Sequence, residues 1–170
     1  MIRLLQRDEL HMVQEVAHAT WPSTFAEILT IEQIEYMLNW MYNNQQLVEN
    51  LDKGHEFYGF FENDKVLGFI EVEASFQASS VLKIHKLYVL PTLQGSGIGR
   101  QLIFQAIACA KIHKNNSVIL NVNRFNKAVT FYQKIGFSIL KEEDISIGNG
   151  YLMEDYVMQL SLKLQSFPHT

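Results

Sequence analysis

The chain has 170 residues, 48% of them hydrophobic and 19% charged, which gives apolar material for one buried core and too little length for two ordinary domains. Its formal net charge is -4, with 14 basic and 18 acidic residues interspersed, so no basic stripe marks a nucleic-acid surface. The single cysteine, Cys109, excludes an internal disulfide and any zinc site built from several thiolates.

In chain order, MIRLLQ reads as a short strand, and Asp8 can cap a helix running to about Thr20 with Leu10, Val13, Val16 and Ala17 on one face. Its opening reaches charge too early for the apolar core of a signal peptide, and no apolar run approaches the roughly 18 residues of a membrane span, so a cytoplasmic protein without a membrane partner is expected. Trp21-Pro22 is expected to end the helix, leaving WPSTFAEILT as a loop. Thr30 stands three residues before Gln33, a capping-box spacing ahead of a second helix through IEQIEYMLNWMY. The stretch NNQQLVENLDKG is ambiguous. EFYGFFE and KVLGFIEVEAS flank Asn63-Asp64 as a hairpin, and VLKIHKLYVL is a third strand of this group, ended by Pro91. A helix follows from about Gly97 to His113, then a strand SVILNVN, then a helix from Asn126 to Gly136. FSILKEEDISI and YLMEDYVMQLSLK are expected to pair antiparallel across Gly148-Asn149-Gly150. The order is β-α-α-β-β-β-α-β-α-β-β, a mixed α/β domain over residues 1–170.

The strongest chemical signal is VLPTLQGSGIGRQLI, a strand feeding through a glycine-rich loop into a helix. Gly95, Gly97 and Gly99 let backbone amides approach an anion, the helix N-terminus adds unpaired N–H groups, and Arg100 adds a charge. A phosphate or pyrophosphate is the expected guest. A Walker loop would need Lys-Ser/Thr where Arg100-Gln101 stands, and the G-x-G-x-G spacing after a late strand disfavours a dinucleotide fingerprint.

Gln94-Gly95-Ser96-Gly97-Ile98-Gly99 matches the Q/R-x-x-G-x-G/A signature of the GNAT N-acetyltransferases. Downstream, NKAVTFYQKIGF is similar to that family's second motif, N-x-x-A-x-x-F-Y-x-K-x-G-F, with one residue fewer between Asn126 and Ala128. The resemblance covers at least Lys65 to Phe137 and is most similar in flavour to bacterial PaiA-type spermidine/spermine N-acetyltransferases. It implies the GNAT fold: a mixed, mostly antiparallel sheet of about six to seven strands, with splayed central strands, flanked by about four helices. It implies acetyl-coenzyme A as co-substrate, no metal, and transfer of an acetyl group to a primary amine by direct attack in a ternary complex. The loop Gln94, Gly95, Ser96, Gly97, Ile98, Gly99 and Arg100 would hold the coenzyme's pyrophosphate, the backbone of Leu87, Tyr88 and Val89 its pantetheine arm, and Asn126 would touch the coenzyme while capping its helix.

Acyl transfer from a thioester needs an amine freed of its proton, a stabilised oxyanion and a proton for the departing thiolate. Tyr132 stands where the family places its thiolate-protonating tyrosine. For the base, His85 precedes Leu87 by two and shares its strand face if the strand alternates simply, whereas a bulge there would turn it away. An ordinary histidine, with pKa near 6.5, suits proton removal near neutrality. Glu71 and Glu73 are its rivals, and Glu73 could also read a cationic acceptor. His11, His18, His55, His113 and His169 show no metal-ligand spacing, Cys109 reads as small core filler, and Arg124 and Lys127 are open to a terminal phosphate or to solvent. Acceptor selection is expected from Trp21, Phe25, Tyr36, Trp40 and the turn from Met153 to Tyr156, where Glu154 and Asp155 could attract a polyamine or simply face water. A small amine or polyamine is the favoured acceptor. The alternatives are a protein N-terminal or lysine acetyltransferase and a non-catalytic acyl-coenzyme A-binding regulator, and a homodimer is left open.

Overall fold

A computed structural model describes residues 1–162. Seven strands form one sheet in the order β1-β2-β3-β4-β5-β7-β6. They are β1 (Ile2–Leu4), β2 (Glu56–Glu62), β3 (Lys65–Glu73), β4 (Val81–Val89), β5 (Ser117–Asn123), β6 (Ser138–Ser146) and β7 (Leu152–Ser161). Among the described residues only β4 and β5 run parallel, and their pairing stops at Ile84 opposite Leu120. Beyond that point β4 continues to Val89 on β3 alone and β5 continues to Asn123 on β7 alone. The sheet therefore opens as a wedge between its two central strands, the splay that the resemblance implied.

Five helices flank the sheet: α1 (His11–Phe25), α2 (Ile31–Tyr42), α3 (Asn44–Asp52), α4 (Ile98–Ile112) and α5 (Ala128–Ile135). The ambiguous NNQQLVENLDKG is α3, capped by Asn43, whose side chain accepts from the Gln46 amide at 2.8 Å. Two cores result. One joins α1, α2 and α3 to Phe57, Phe61 and Phe69; the other joins α4 and Tyr132 of α5 to Ile70, Leu82, Ile84, Val118 and Leu120.

The first helix does not end at Trp21-Pro22, because α1 runs on to Phe25 with Pro22 inside it. Trp21 and Phe25 are accordingly core residues, 1% and 5% exposed, with rings 4.6 Å apart, and not loop aromatics open to an acceptor. Thr30 caps α2 by accepting from the Gln33 amide at 3.1 Å, but the Gln33 side chain reaches the Leu152 carbonyl, so the reciprocal half of the box is absent. Asn63 and Asp64 both have positive φ, as a tight two-residue hairpin turn requires. Met153 to Tyr156 lie within β7 and form no turn. His169 lies outside the described residues.

Candidate active site

The glycine loop leaves the end of β4 and enters α4. Gly95 (φ +84°) and Gly97 (φ +90°) hold left-handed backbone that a branched residue resists, and a Cβ at either would meet only open space. Gly99 matters for packing instead. A Cβ there would come within 3.3 Å of Phe131, so its bareness lets α4 approach α5. Ser96 spends its amide on the Leu93 carbonyl, and Gln101 donates back to Gly97. The amides of Ile98, Gly99 and Arg100 make up the first turn of α4, with no side-chain cap over it, so they and the dipole are available to an anion. Gln94 lies near the end of β4, its side chain 3.4 Å from the Val89 carbonyl.

Inside the wedge, Leu87 and Val89 turn their side chains to the α4 core, while Tyr88 packs against Trp21 and Phe69 on the opposite face. Their backbone beyond Ile84 is not bonded to β5, so it can serve an extended guest. From α5, Tyr132 packs between Phe131 and Phe137 and is 7% exposed. Burial pushes its hydroxyl well above the ordinary tyrosine range, as it does for Tyr88, where Tyr132 and Asp155 add to the effect. Asn126 accepts from the Ala128 amide at 2.9 Å and so caps α5 as its position suggested. Arg124 is bonded to Glu142 and Asp144, which leaves it committed to the protein, whereas Lys127 heads α5. Cys109 is buried among Ala106 and Ala110, and burial pushes its thiol up to about 11.

His85 does not share a face with Leu87 and Val89. The β3–β4 register slips between Glu71 and Val72, so that Glu71 pairs Lys86 while Val72 pairs Ile84. His85 is the extra residue of this bulge, and it points with Lys86 to the face of Glu71 and Glu73. Here the chain assembles a constellation that no local spacing announced. Glu71, fully buried, accepts from Lys86, from Asn50 of α3 at 3.0 Å, and from His55 Nδ1 at 2.8 Å. Glu73 Oε2 lies 2.8 Å from His85 Nε2 and 3.3 Å from His55 Nε2, and the two imidazoles stack at 4.6 Å with planes 8° apart. Burial alone would raise the Glu71 carboxyl, but the His55 hydrogen bond and the Lys86 ammonium outweigh it and bring it down to about 2. Burial lowers His85 to about 4 against the opposing pull of Glu73 and Glu71, with His55 and Lys83 adding to the fall, so it is neutral well below the pH expected of an ordinary histidine.

On the same side, Asp155 is 2% exposed and accepts from Asn121 at 3.3 Å, while Glu143, its neighbour across the β6–β7 pair, accepts from Asn121 at 3.0 Å. Burial raises the Asp155 carboxyl, and Glu143 pushes the same way. Asp155 is thus no solvated turn residue. Tyr36 donates to the Ile147 carbonyl at 2.8 Å, and Trp40 remains 46% exposed.

The comparisons with known proteins agree with this geometry. A family model described as an acetyltransferase (GNAT) domain matches residues 25–160. The chain is 30% identical over 162 residues to the spermidine N(1)-acetyltransferase of Thermoplasma acidophilum, covering 90% of this chain and 94% of that one. The crystal structure of the PaiA N-acetyltransferase of the same organism, in complex with coenzyme A, superposes with a TM-score of 0.80 at 26% identity over 95% of this chain and 98% of that chain. A Haemophilus influenzae [ribosomal protein bS18]-alanine N-acetyltransferase is 27% identical over 114 residues, 67% of this chain and 75% of that protein. The chain belongs to the GNAT family of N-acetyltransferases.

Proposed function

We propose that this protein transfers the acetyl group of acetyl-coenzyme A to a primary amine of a small, cationic acceptor of the polyamine kind. The observation that carries the reading is the junction of the uncapped α4 N-terminus with the open wedge between β4 and β5, a phosphate cradle continuous with a slot for an extended arm. The amides around Gly95 to Arg100 take the pyrophosphate, and free backbone of Leu87 and Val89 takes the pantetheine arm and polarises the thioester carbonyl. The acceptor ammonium gives a proton to His85. Its nitrogen lone pair then forms the C–N bond, and the C–S bond breaks as Tyr132 donates its hydroxyl proton to the leaving thiolate. The acylated nitrogen gives its second proton back, through water, to the tyrosinate, and His85 releases the first to solvent. A tyrosine held protonated by burial suits that donation. Glu71 is a poor base, since Lys86 and His55 hold it ionised in the interior.

A cationic acceptor is supported by the carboxylates of Glu73, Glu143 and Asp155 on the face that carries His85, offset there only in part by Lys83. Similarity to an enzyme named for spermidine supports the same class. Free thiol release with acetyl-coenzyme A and a panel of spermidine, amino acids, aminoglycosides and N-terminal peptides tests it. Turnover is expected with spermidine above the others. Preference for an alanine-ended peptide would move the protein to the second class of relatives, and tight coenzyme binding without turnover on any amine would make it a regulator.

A further inference from the structure

At the end of α4 remote from the glycine loop, three metal-binding side chains converge outside the active site. The His113 amide donates to the Cys109 carbonyl at 3.1 Å, so these two residues stand one helical turn apart on a single face of α4. Glu56 begins β2, the strand against which that end of the helix lies. One donor atom from each, the Cys109 Sγ, a His113 ring nitrogen and a Glu56 carboxylate oxygen, lie within 4.8 Å of one another. His113 Nε2 is 3.9 Å from Glu56 Oε1, too far for a hydrogen bond and wide enough for an ion between them. The other Glu56 oxygen accepts from Tyr58, next along the same strand face. Ligating carboxylates are commonly held in this way, with one oxygen free for the metal and the other fixed by an outer partner. Cys109 is 3% exposed, while the His113 and Glu56 side chains are 45% and 34% exposed. The group is therefore closed toward the core and open to solvent on one side.

We propose that Glu56, Cys109 and His113 form a zinc site that clamps the C-terminal turn of α4 to β2. A thiolate, an imidazole and a carboxylate are a donor set that suits zinc, with a solvent molecule in the fourth position. Zinc bonds of about 2.0–2.3 Å set tetrahedral ligand atoms about 3.5 Å apart, so the three close in by only about 1 Å. On binding, the Cys109 S–H bond breaks, the Zn–S bond forms and the proton leaves to solvent. His113 supplies a neutral ring lone pair and Glu56 an ionised oxygen. Thiolate and carboxylate cancel the two charges of the ion, so no net charge is left at the edge of the core. The 15 residues of α4 put this site about 20 Å from the coenzyme cradle, so the clamp acts on stability and takes no part in acyl transfer. His55, Glu73 and His85 also bring three donor atoms together, but they fit an ion poorly. Two rings stacked with planes 8° apart cannot both direct an in-plane lone pair at one ion about 2 Å away.

The test is a titration of the untagged chain with cobalt(II), then with zinc, in a buffer free of chelators. Cys109 is the chain's one cysteine, so a thiolate-to-cobalt charge-transfer band in the near ultraviolet reports this site and no other. The wild type is expected to develop that band up to one cobalt per chain. Zinc should displace it and raise the urea midpoint. Cys109→Ala should abolish the band. His113→Ala, at a half-exposed helix end that the fold does not depend on, and Glu56→Gln should each weaken zinc by at least about a hundredfold. Tyr58→Phe should weaken it about tenfold to a hundredfold and keep the band, because Tyr58 only orients a ligand. No band in the wild type at a large excess of cobalt would overturn the proposal, as would a band that is unchanged in both His113→Ala and Glu56→Gln. Zinc binding that survives Cys109→Ala and is lost in His85→Ala would place the metal at the other cluster and overturn it likewise.

Discussion

The glycine loop and the buried charge cluster both serve β4, yet they are built from opposite materials. The loop is nearly all backbone. Its useful groups are amides, and what its residues contribute is the absence of side chains and tolerance of positive φ at Gly95 and Gly97. The cluster is all side chain. It draws Asn50 from α3, His55 from the approach to β2, Glu71 and Glu73 from β3, and His85 and Lys86 from the bulge in β4. A backbone cradle loses its guest when changed but keeps its fold, whereas a buried polar network risks the fold itself.

The largest effect is expected at Lys86. Lys86→Met keeps the bulk over the Tyr42 ring but leaves Glu71 buried without its cation. Removing one partner of a buried pair costs on the order of 3–5 kcal/mol. Urea unfolding should report a loss of that order. A change under about 1 kcal/mol would mean that Asn50 and His55 alone satisfy Glu71.

Tyr132→Phe comes next and belongs to neither construction, since its ring is held on α5 by Phe131 and Phe137. Fold and coenzyme affinity should survive while kcat falls roughly tenfold to a thousandfold, the scale of a lost general acid or somewhat less. Wild-type kcat would reduce the ring to its packing against Phe131 and Phe137.

In the loop, Gly97→Val should weaken coenzyme A binding about tenfold to a hundredfold by titration calorimetry, because a β-branched residue resists φ near +90° and the amides lose their alignment. Gly99→Val separates the two constructions further. It should cost stability through Phe131, and Phe131→Leu should restore part of it. Equal losses of affinity without loss of stability would show that both glycines face the guest.

How much is legible in the sequence follows the same division. The loop lies in consecutive residues, so its glycines, its Gln94 and its place between strand and helix are visible there, as is the Asn126 cap. The role of Gly99 is not, because the Phe131 ring it makes room for stands on another helix. The cluster's members are far apart in sequence, and one bulge decides which face His85 takes. Alternation along IHKLYV predicts the wrong face, and nothing in those letters encodes the slip opposite Glu71 and Val72. Pro22 inside α1 misleads for a related reason: burial of Trp21 and Phe25 in the core outweighs the local cost of the proline.

The two constructions should also differ with pH. The unfolded chain protonates a histidine near 6.5, whereas folded His85 resists until about 4, so the unfolded state binds more protons between these values and stability falls as pH falls across that window. Glu71 adds a second loss lower down: its contribution is present above about 4.5 and disappears as pH drops toward about 2. Urea midpoints from pH 7 to 3 should fall steadily in the wild type, and His85→Gln should flatten the upper part. A flat wild-type profile above pH 4 would mean that folded His85 titrates like an exposed histidine.

The smallest effect is expected at the far side of the wedge, where we propose that side chains read the acceptor. Glu143 lies opposite Asp155 across the β6–β7 pair and shares the Asn121 amide with it. Its hydrogen bond with Asn121, then that with Lys141, keeps it ionised below the usual carboxylate range. Glu143→Gln retains an acceptor oxygen for Asn121 but removes one negative charge from the face that Glu73 and Asp155 share. Because the residue is partly open to water, screening limits the loss, and KM for spermidine should rise only about threefold while kcat stays unchanged. The salt dependence of kcat/KM should become shallower in the same variant, since one charge fewer attracts a polycation. A neutral-bodied monoamine should register a smaller KM change than spermidine. Equal changes for both would place Glu143 outside acceptor recognition and leave Glu73 and Asp155 as the charges that select it.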